Sequence, residues 1–332
     1  MTDYLRSSCI ELTGIPATEG GVTMARRRPL RVCLGSIAKE LVKMAILMSA
    51  FDVSAEPLTH VSARSLLDHS KPTDWRALDP ENTLYLELPN GRIVIELAPK
   101  FALRTVANVK ILVRQKYFDG LPIVRAQDNY VVQWGDPEGT RSMEAAVRTL
   151  NPEFERTASN LAFTVLPDRD TYAPETGFVD AFPVARDPRL HRAWLVHCYG
   201  MVGASRDSNA QSGNGADLYV VIGHAPRQLD RNITLVGRVV AGMELLAVLP
   251  RGDGDLGFYR SKSEYRSIKS VRVAADVAKD ERSNIEVLRT DAPVFSALIQ
   301  VLRTRADGWS VVSPGRVDVC NFPTLARPVT QN

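Results

Sequence analysis

The stretch that most constrains this chain is TLYLELPNGRIVIEL, residues 83–97. Two alternating apolar segments flank Asn90-Gly91, the dipeptide that most strongly signals a tight β-hairpin, because both residues tolerate the positive φ such turns need. Leu84, Leu86 and Leu88 share one face, and Ile93, Ile95 and Leu97 share another.

Beyond the hairpin, strand patterns alternate with two short helices. Pro99 opens a helix in which Val106, Val109 and Leu112 or Val113 recur at helical spacing, and YFDG at 117–120 closes it with a turn. IVRAQDNYVVQWGDPEG, 123–139, reads as strand sequence that carries Arg125 and Gln133 and runs into a Gly-Asp-Pro turn. Residues 138–193 show no sustained period and read as an irregular elaboration. Strand character resumes at WLVHCYGMVGAS, passes through a Gly/Ser/Asn loop, and returns in LYVVIG (218–223) and ITLVGRVVAG (233–242). MELLAVLP is a short helix ended by Pro250, and IKSVRVAAD is a strand. The pattern is mainly β: a closed antiparallel barrel capped by two helices. Outside it lie a linker over 56–82, with at most one helix around Ser62 to Asp68, and an extension over 277–332. The extension has an amphipathic helix opened by Pro293, with Phe295, Leu298, Ile299 and Leu302 on its apolar face, and a last strand VDVCNF.

Composition narrows the function classes. With 41 basic against 38 acidic residues, the chain lacks the concentrated charge of a nucleic-acid binder. No run of about 20 apolar residues predicts a membrane span. There is no GxGxxG after a strand, no Walker loop, and no HExxH among five histidines, so no cofactor or metal is called for. Arg26, Arg27, Arg28 and Arg31, then an apolar run from Met44 to Phe51, then Val53-Ser54-Ala55 give residues 1–55 the pattern of a signal segment. A start at Met24 would serve equally, and a cytoplasmic tail is the alternative. Export leaves Cys198 and Cys320 as the two cysteines of the mature chain. They are either a disulfide or two buried thiols.

The order of these pieces resembles the cyclophilin-type peptidyl-prolyl isomerases, over residues 83–276 with 138–193 as an insertion. Ile-Val-Arg, four residues, Tyr-Val, one residue, Gln, one residue, Gly-Asp matches the family's FHR-x4-FM-x-Q-x-GD, with Arg125, Gln133, Gly135 and Asp136 in identity and spacing. APKFALRTVANVKILVRQKYFDG is similar to the family's AP-x-TV-x-NF and YYDG signatures. GMVGASR and LDRNITLVGRVVAGMELL match two later segments. The resemblance implies a cyclophilin-like barrel, a monomer without a cofactor, and proline-containing polypeptides as substrates. Arg125 would donate to the prolyl nitrogen of a twisted X-Pro bond while Gln133 orients it. Tyr130, Val131, Ser205, Arg206, Asp217, Leu218, Tyr219, Leu229 and Ile233 would receive the peptide.

The lining departs from the pattern. The family's Phe-His before the arginine is Ile123-Val124, its pocket Phe-Met is Tyr130-Val131, and its proline-pocket floor is Tyr219. Two functions are open. One is an isomerase assisting folding of exported proteins in the periplasm or outside the cell; the other is a catalytically weak proline-peptide binding or structural module. A hydrolase built from Ser205 and His197 lacks the nucleophile-elbow pattern.

Overall fold

In this computed structural model, which describes residues 62–323 and 325–329, Ser62 caps helix α1 (Ala63–Asp68), its hydroxyl accepting from the Ser65 N–H at 3.1 Å. Strand β1 (Trp75–Ala77) leads to the hairpin β2 (Thr83–Leu88) and β3 (Gly91–Leu97). Leu88 pairs with Gly91, so the two-residue loop is Pro89-Asn90, one position earlier than Asn90-Gly91 implies. Proline presets φ for the first corner of a turn, and that preference decides the register. Leu84 then faces Ile95 and Leu86 faces Ile93, so both apolar sets share one side and enter the same core.

Helix α2 (Leu103–Arg114) comes next, then β4 (Pro122–Ala126) and β5 (Val131–Trp134). The chain then makes β6 (Arg156–Thr157), β7 (Thr164–Val165), β8 (Glu175–Val179), β9 (Phe182–Asp187) and β10 (Arg192–Leu195). It returns through β11 (Met201–Ala204), β12 (Leu218–Val221), β13 (Leu235–Ala241), α3 (Met243–Ala247), β14 (Arg266–Ser267) and β15 (Ser270–Val273). The extension adds β16 (Ile285–Leu288), α4 (Pro293–Thr304) and β17 (Ala326–Pro328).

Nine strands form one antiparallel sheet in the order β14-β4-β5-β12-β11-β13-β3-β2-β15. Its two edge strands are the two ends of a single segment, 266–273. Ile268 exchanges backbone bonds with the β4 side, accepting from Gly120 at 2.8 Å and donating to Leu121 at 2.9 Å. Lys269 donates to the Glu87 carbonyl of β2 at 2.8 Å. That segment seals both edges, and the sheet curls into a barrel. Val106, Val109, Leu112 and Val113 of α2 and Leu246 of α3 cover its apolar interior.

The segment that sequence periodicity leaves irregular is a five-stranded antiparallel sheet, β6-β10-β9-β8-β7. Its strands are short, and the central hairpin turns on Asp180 (φ 50) and Ala181 (φ 68), with Val179 paired to Phe182. A turn of that geometry normally announces itself by glycine, and here an alanine hides it. Residues 62–82 do more than link, since β1 pairs with β16 in a third sheet, β1-β16-β17. VDVCNF is no strand: Val319–Asn321 is a 3-10 turn capped by the Asp318 carboxylate, which accepts from Cys320 N–H at 2.7 Å. The Asp side chain competes for that N–H and diverts it from a ladder.

Insertion and extension share a second core. Phe178 of β8 meets Phe295 of α4 and Phe322, with ring centroids 5.2 and 4.8 Å apart. Leu298, Ile299 and Leu302 join them and Trp194 in the same buried cluster. Cys198 and Cys320 are disulfide-bonded across it, Cα atoms 4.8 Å apart and 122 residues apart in sequence. The insertion also caps the barrel helix. Ala102 offers α2 no side-chain cap, and the Glu153 carboxylate accepts instead from the N–H groups of Arg104 (3.1 Å) and Thr105 (2.8 Å). The expected signal segment, 1–55, lies outside the described residues. No helix among the described residues is long and apolar enough to cross a membrane.

Ala181 holds a left-handed conformation that disfavours a side chain. Replacing Ala181 with Gly is expected to raise unfolding stability by about 1 kcal/mol, read as a higher denaturation midpoint with an unchanged slope.

Candidate active site

One register row builds the site. Arg125 on β4 pairs with Gln133 on β5, Gln133 pairs with Tyr219 on β12, and Tyr219 pairs with Gly203 on β11. Directly opposed residues point to the same face, so guanidinium, amide and ring line up across the outside of the barrel. Their neighbours Val132, Trp134, Leu218 and Val220 point inward to the core. A register irregularity between Ile123 and Arg125 turns the arginine outward while Ile123 stays inside.

Arg125 is held by several groups. Its Nη1 donates to Gln133 Oε1 at 3.2 Å, its Nε to Leu256 O at 2.6 Å, and its Nη2 to Gln127 Oε1. The rings of Tyr130 and Phe258 lie 5.5 and 5.2 Å from the guanidinium carbon. Burial lowers its pKa, yet a guanidinium so placed stays charged at neutral pH. A guanidinium has five N–H groups, so each terminal nitrogen keeps one more to offer.

Beside it an apolar cluster forms from Val131, Tyr219 and Val221, with Tyr130 and Ile233 packed against them. The Tyr219 ring lies directly on strand β11. A Cβ at Gly203 would come within 2.3 Å of its Cζ and Oη, so only glycine permits this pose. Asp217 continues the outward series of Tyr219 and Val221, and its carboxylate sits over Gly135, where a Cβ would meet Oδ1 at 1.6 Å. Burial, and then the nearby Asp136, push the Asp217 pKa up to about 6.

The remaining expected residues separate. Leu218 does not line the groove: strand alternation turns it into the barrel core opposite Trp134. Ser205 spends its N–H on Asp217 O at 2.8 Å. Arg206 donates to Asn232 O at 2.9 Å and Asp207 O at 2.7 Å. Leu229 stands outside the apolar cluster, ending a 3-10 turn whose carbonyl accepts from Asn232 and Ile233. Sequence reading misses Gln127, Leu256 and Phe258. Gln127 lies inside the motif's four-residue gap, whereas Leu256 and Phe258 reach Arg125 from a distant loop with no local signal. It names His197 only beside Ser205, in the hydrolase reading, and not with Asp230 or Tyr219. In the structure this histidine is fully buried, with Nδ1 2.9 Å from Asp230 Oδ1 and Nε2 2.8 Å from Tyr219 Oη.

Comparison with known proteins agrees with this architecture. A family model described as cyclophilin type peptidyl-prolyl cis-trans isomerase/CLD matches residues 83–273. A Brucella suis protein named "Probable peptidyl-prolyl cis-trans isomerase" is 26% identical over 176 residues, 53% of this chain and 75% of its own. A Synechocystis peptidyl-prolyl cis-trans isomerase, assigned provisionally to the thylakoid lumen, is 24% identical over 260 residues, covering 70% of this chain and 64% of that one. The crystal structure of a cyclophilin from Hirschia baltica superposes with a TM-score of 0.64 at 25% identity, over 82% of this chain and 99% of that one.

The Asp217 carboxyl makes a pH signature. The folded protein holds its proton up to about pH 6, whereas an unfolded chain releases it near about pH 4. Between those values the native state binds more protons, so this group's contribution to stability falls as pH rises through the window and is flat above it. Asp217→Asn is therefore expected to stabilise the protein at pH 8 and to change little at pH 4. Denaturation midpoints at the two pH values check this.

Proposed function

The chain belongs to the cyclophilin-type peptidyl-prolyl cis-trans isomerase family, and from that premise we propose that it turns over exposed X-Pro bonds on the Arg125–Gln133–Tyr219 face. Amide resonance sets a barrier of roughly 18–20 kcal/mol to rotation about a peptide bond. No covalent intermediate is needed to cross it. The reaction needs an apolar seat for the proline ring and a donor aimed at the prolyl nitrogen, whose lone pair becomes available only when the bond is twisted. A hydrogen bond made only then stabilises the transition state and not the ground state.

The observation that carries this reading is the guanidinium itself. Gln133, Gln127 and the Leu256 carbonyl fix its plane and leave an N–H on each terminal nitrogen, beside the apolar patch of Tyr130, Val131 and Tyr219. Preorganisation of this kind removes the reorganisation cost at the moment of reaction. Arg125→Ala is expected to lower kcat/KM on a proline peptide by about 100-fold or more, with the fold retained. Equal rates for the two proteins would overturn the role of Arg125. The smaller, more polar lining at Tyr130 and Val131 favours a second reading, a proline-peptide binder with slow turnover. The same assay separates them, because a binder retains peptide affinity at a wild-type rate near the uncatalysed one.

We further propose that the protein works on exported polypeptides, in the periplasm or outside the cell. The Cys198–Cys320 disulfide supports an oxidising compartment, and so does the lumenal assignment of the Synechocystis relative. Protein isolated from its host is then expected to begin near Glu56. N-terminal sequencing that returned residue 2 or 25 would place it in the cytosol instead.

A further inference from the structure

Behind the pocket floor runs a buried polar chain that the isomerase chemistry does not require. The His197 imidazole is enclosed completely, stacked beside the Tyr219 ring with centroids 6.3 Å apart. Asp230 Oδ1 accepts twice from His197, from its backbone N–H at 2.9 Å and from ring Nδ1 at 2.9 Å. With Nδ1 donating to the carboxylate, the neutral imidazole has its lone pair on Nε2, 2.8 Å from the Tyr219 hydroxyl that would donate to it. Burial also keeps that hydroxyl protonated, its pKa held well above the ordinary tyrosine value.

The chain continues outward. Arg227 Nε donates to Asp230 Oδ2 at 2.6 Å, and its two terminal nitrogens grip Asp170 of the insertion at 2.7 and 3.0 Å. Every charge in it is buried, and every one is paired. Groups this deep keep their geometry, since leaving any of them unpaired is costly.

We propose that His197 and Asp230 are positioning residues for the proposed isomerisation: they fix the Tyr219 ring as the floor of the proline seat, and Arg227 with Asp170 makes the insertion part of that support. The proposal rests on the isomerase reading above. The ring rests on the bare backbone of Gly203 and against Val131 and Val221, and the bond to His197 adds a directional fixed point at its hydroxyl end, so that it presents one face to the proline. The tie changes how well the substrate seats, while the donor to the prolyl nitrogen stays with Arg125.

The test has an arm that needs no turnover. In the wild-type protein, nitrogen-15 spectra of His197 are expected to show a proton on Nδ1 only, with a slowly exchanging hydroxyl proton from Tyr219. A proton on Nε2 would overturn the proposal. In the second arm, Tyr219→Phe and His197→Asn are each expected to lower kcat/KM by about 3- to 10-fold, the effect of one lost hydrogen bond. The loss should appear in KM with kcat held, and the double variant should fall no further than the worse single one. Additive losses, or folded variants with an unchanged KM, would also overturn it. The isomerase reading fails separately: wild-type protein with the expected His197 and Tyr219 signals but no turnover leaves the anchor standing and removes the enzyme.

Discussion

Everything chemical in this protein hangs on the strand register that aligns Arg125, Gln133, Tyr219 and Gly203. Side chains alternate along a strand, so a slip of one residue would drive Arg125 into the barrel and turn Ile123 or Ala126 to the solvent. The core opposes such a slip. Ile123, Val132, Trp134, Leu218 and Val220 all face inward from the same three strands and fill the interior, and displacing that set would cost several side chains' worth of burial at roughly 1.5–3 kcal/mol each. The hydrophobic effect sets the register, and the register sets the site.

The insertion and the extension solve a second problem together. Neither a sheet of short strands nor a single amphipathic helix can bury its apolar face alone. Packed against each other through Phe178, Phe295 and Phe322, they form one body beside the barrel, and the disulfide ties the extension to the segment that leads into β11. That body reaches the barrel at polar points as well: Glu153 at the start of α2 and Asp170 through Arg227.

The legible parts of the sequence are those with local signals. The hairpin, the barrel strands, α2 and α4 emerge from periodicity and from proline placement, and the family spacing points at Arg125 and Gln133. The hairpin loop shifts by one residue because two good turn signals, Pro89 and Asn90-Gly91, compete and proline wins. The insertion sheet is invisible in the sequence because Ala181 occupies a glycine-like conformation and its neighbouring strands are too short to show alternation. Motif analogy puts Leu218 in the groove, although simple alternation from Tyr219 already turns it inward. Leu256, Phe258 and the partners of His197 are long-range contacts, which no single-sequence pattern encodes.

The closing segment of the barrel carries one more consequence, in the order of events. Strand β2 finds its partner on one side immediately, in β3, but its other side pairs only with β15, far along the chain. The outer side of β4 likewise waits for the loop at 252–259, which bridges Arg125 through Phe258, and then for β14. Until 266–273 has emerged and docked, a chain leaving the ribosome carries an open edge on β2 and an incomplete one on β4. Such edges recruit strands from other molecules. Long-range pairing of this kind is slow, because loop-closure entropy is lost before the contacts that reward it are made. A protein of a family that relieves a slow step in the folding of other chains thus has, in its own topology, a late and vulnerable step.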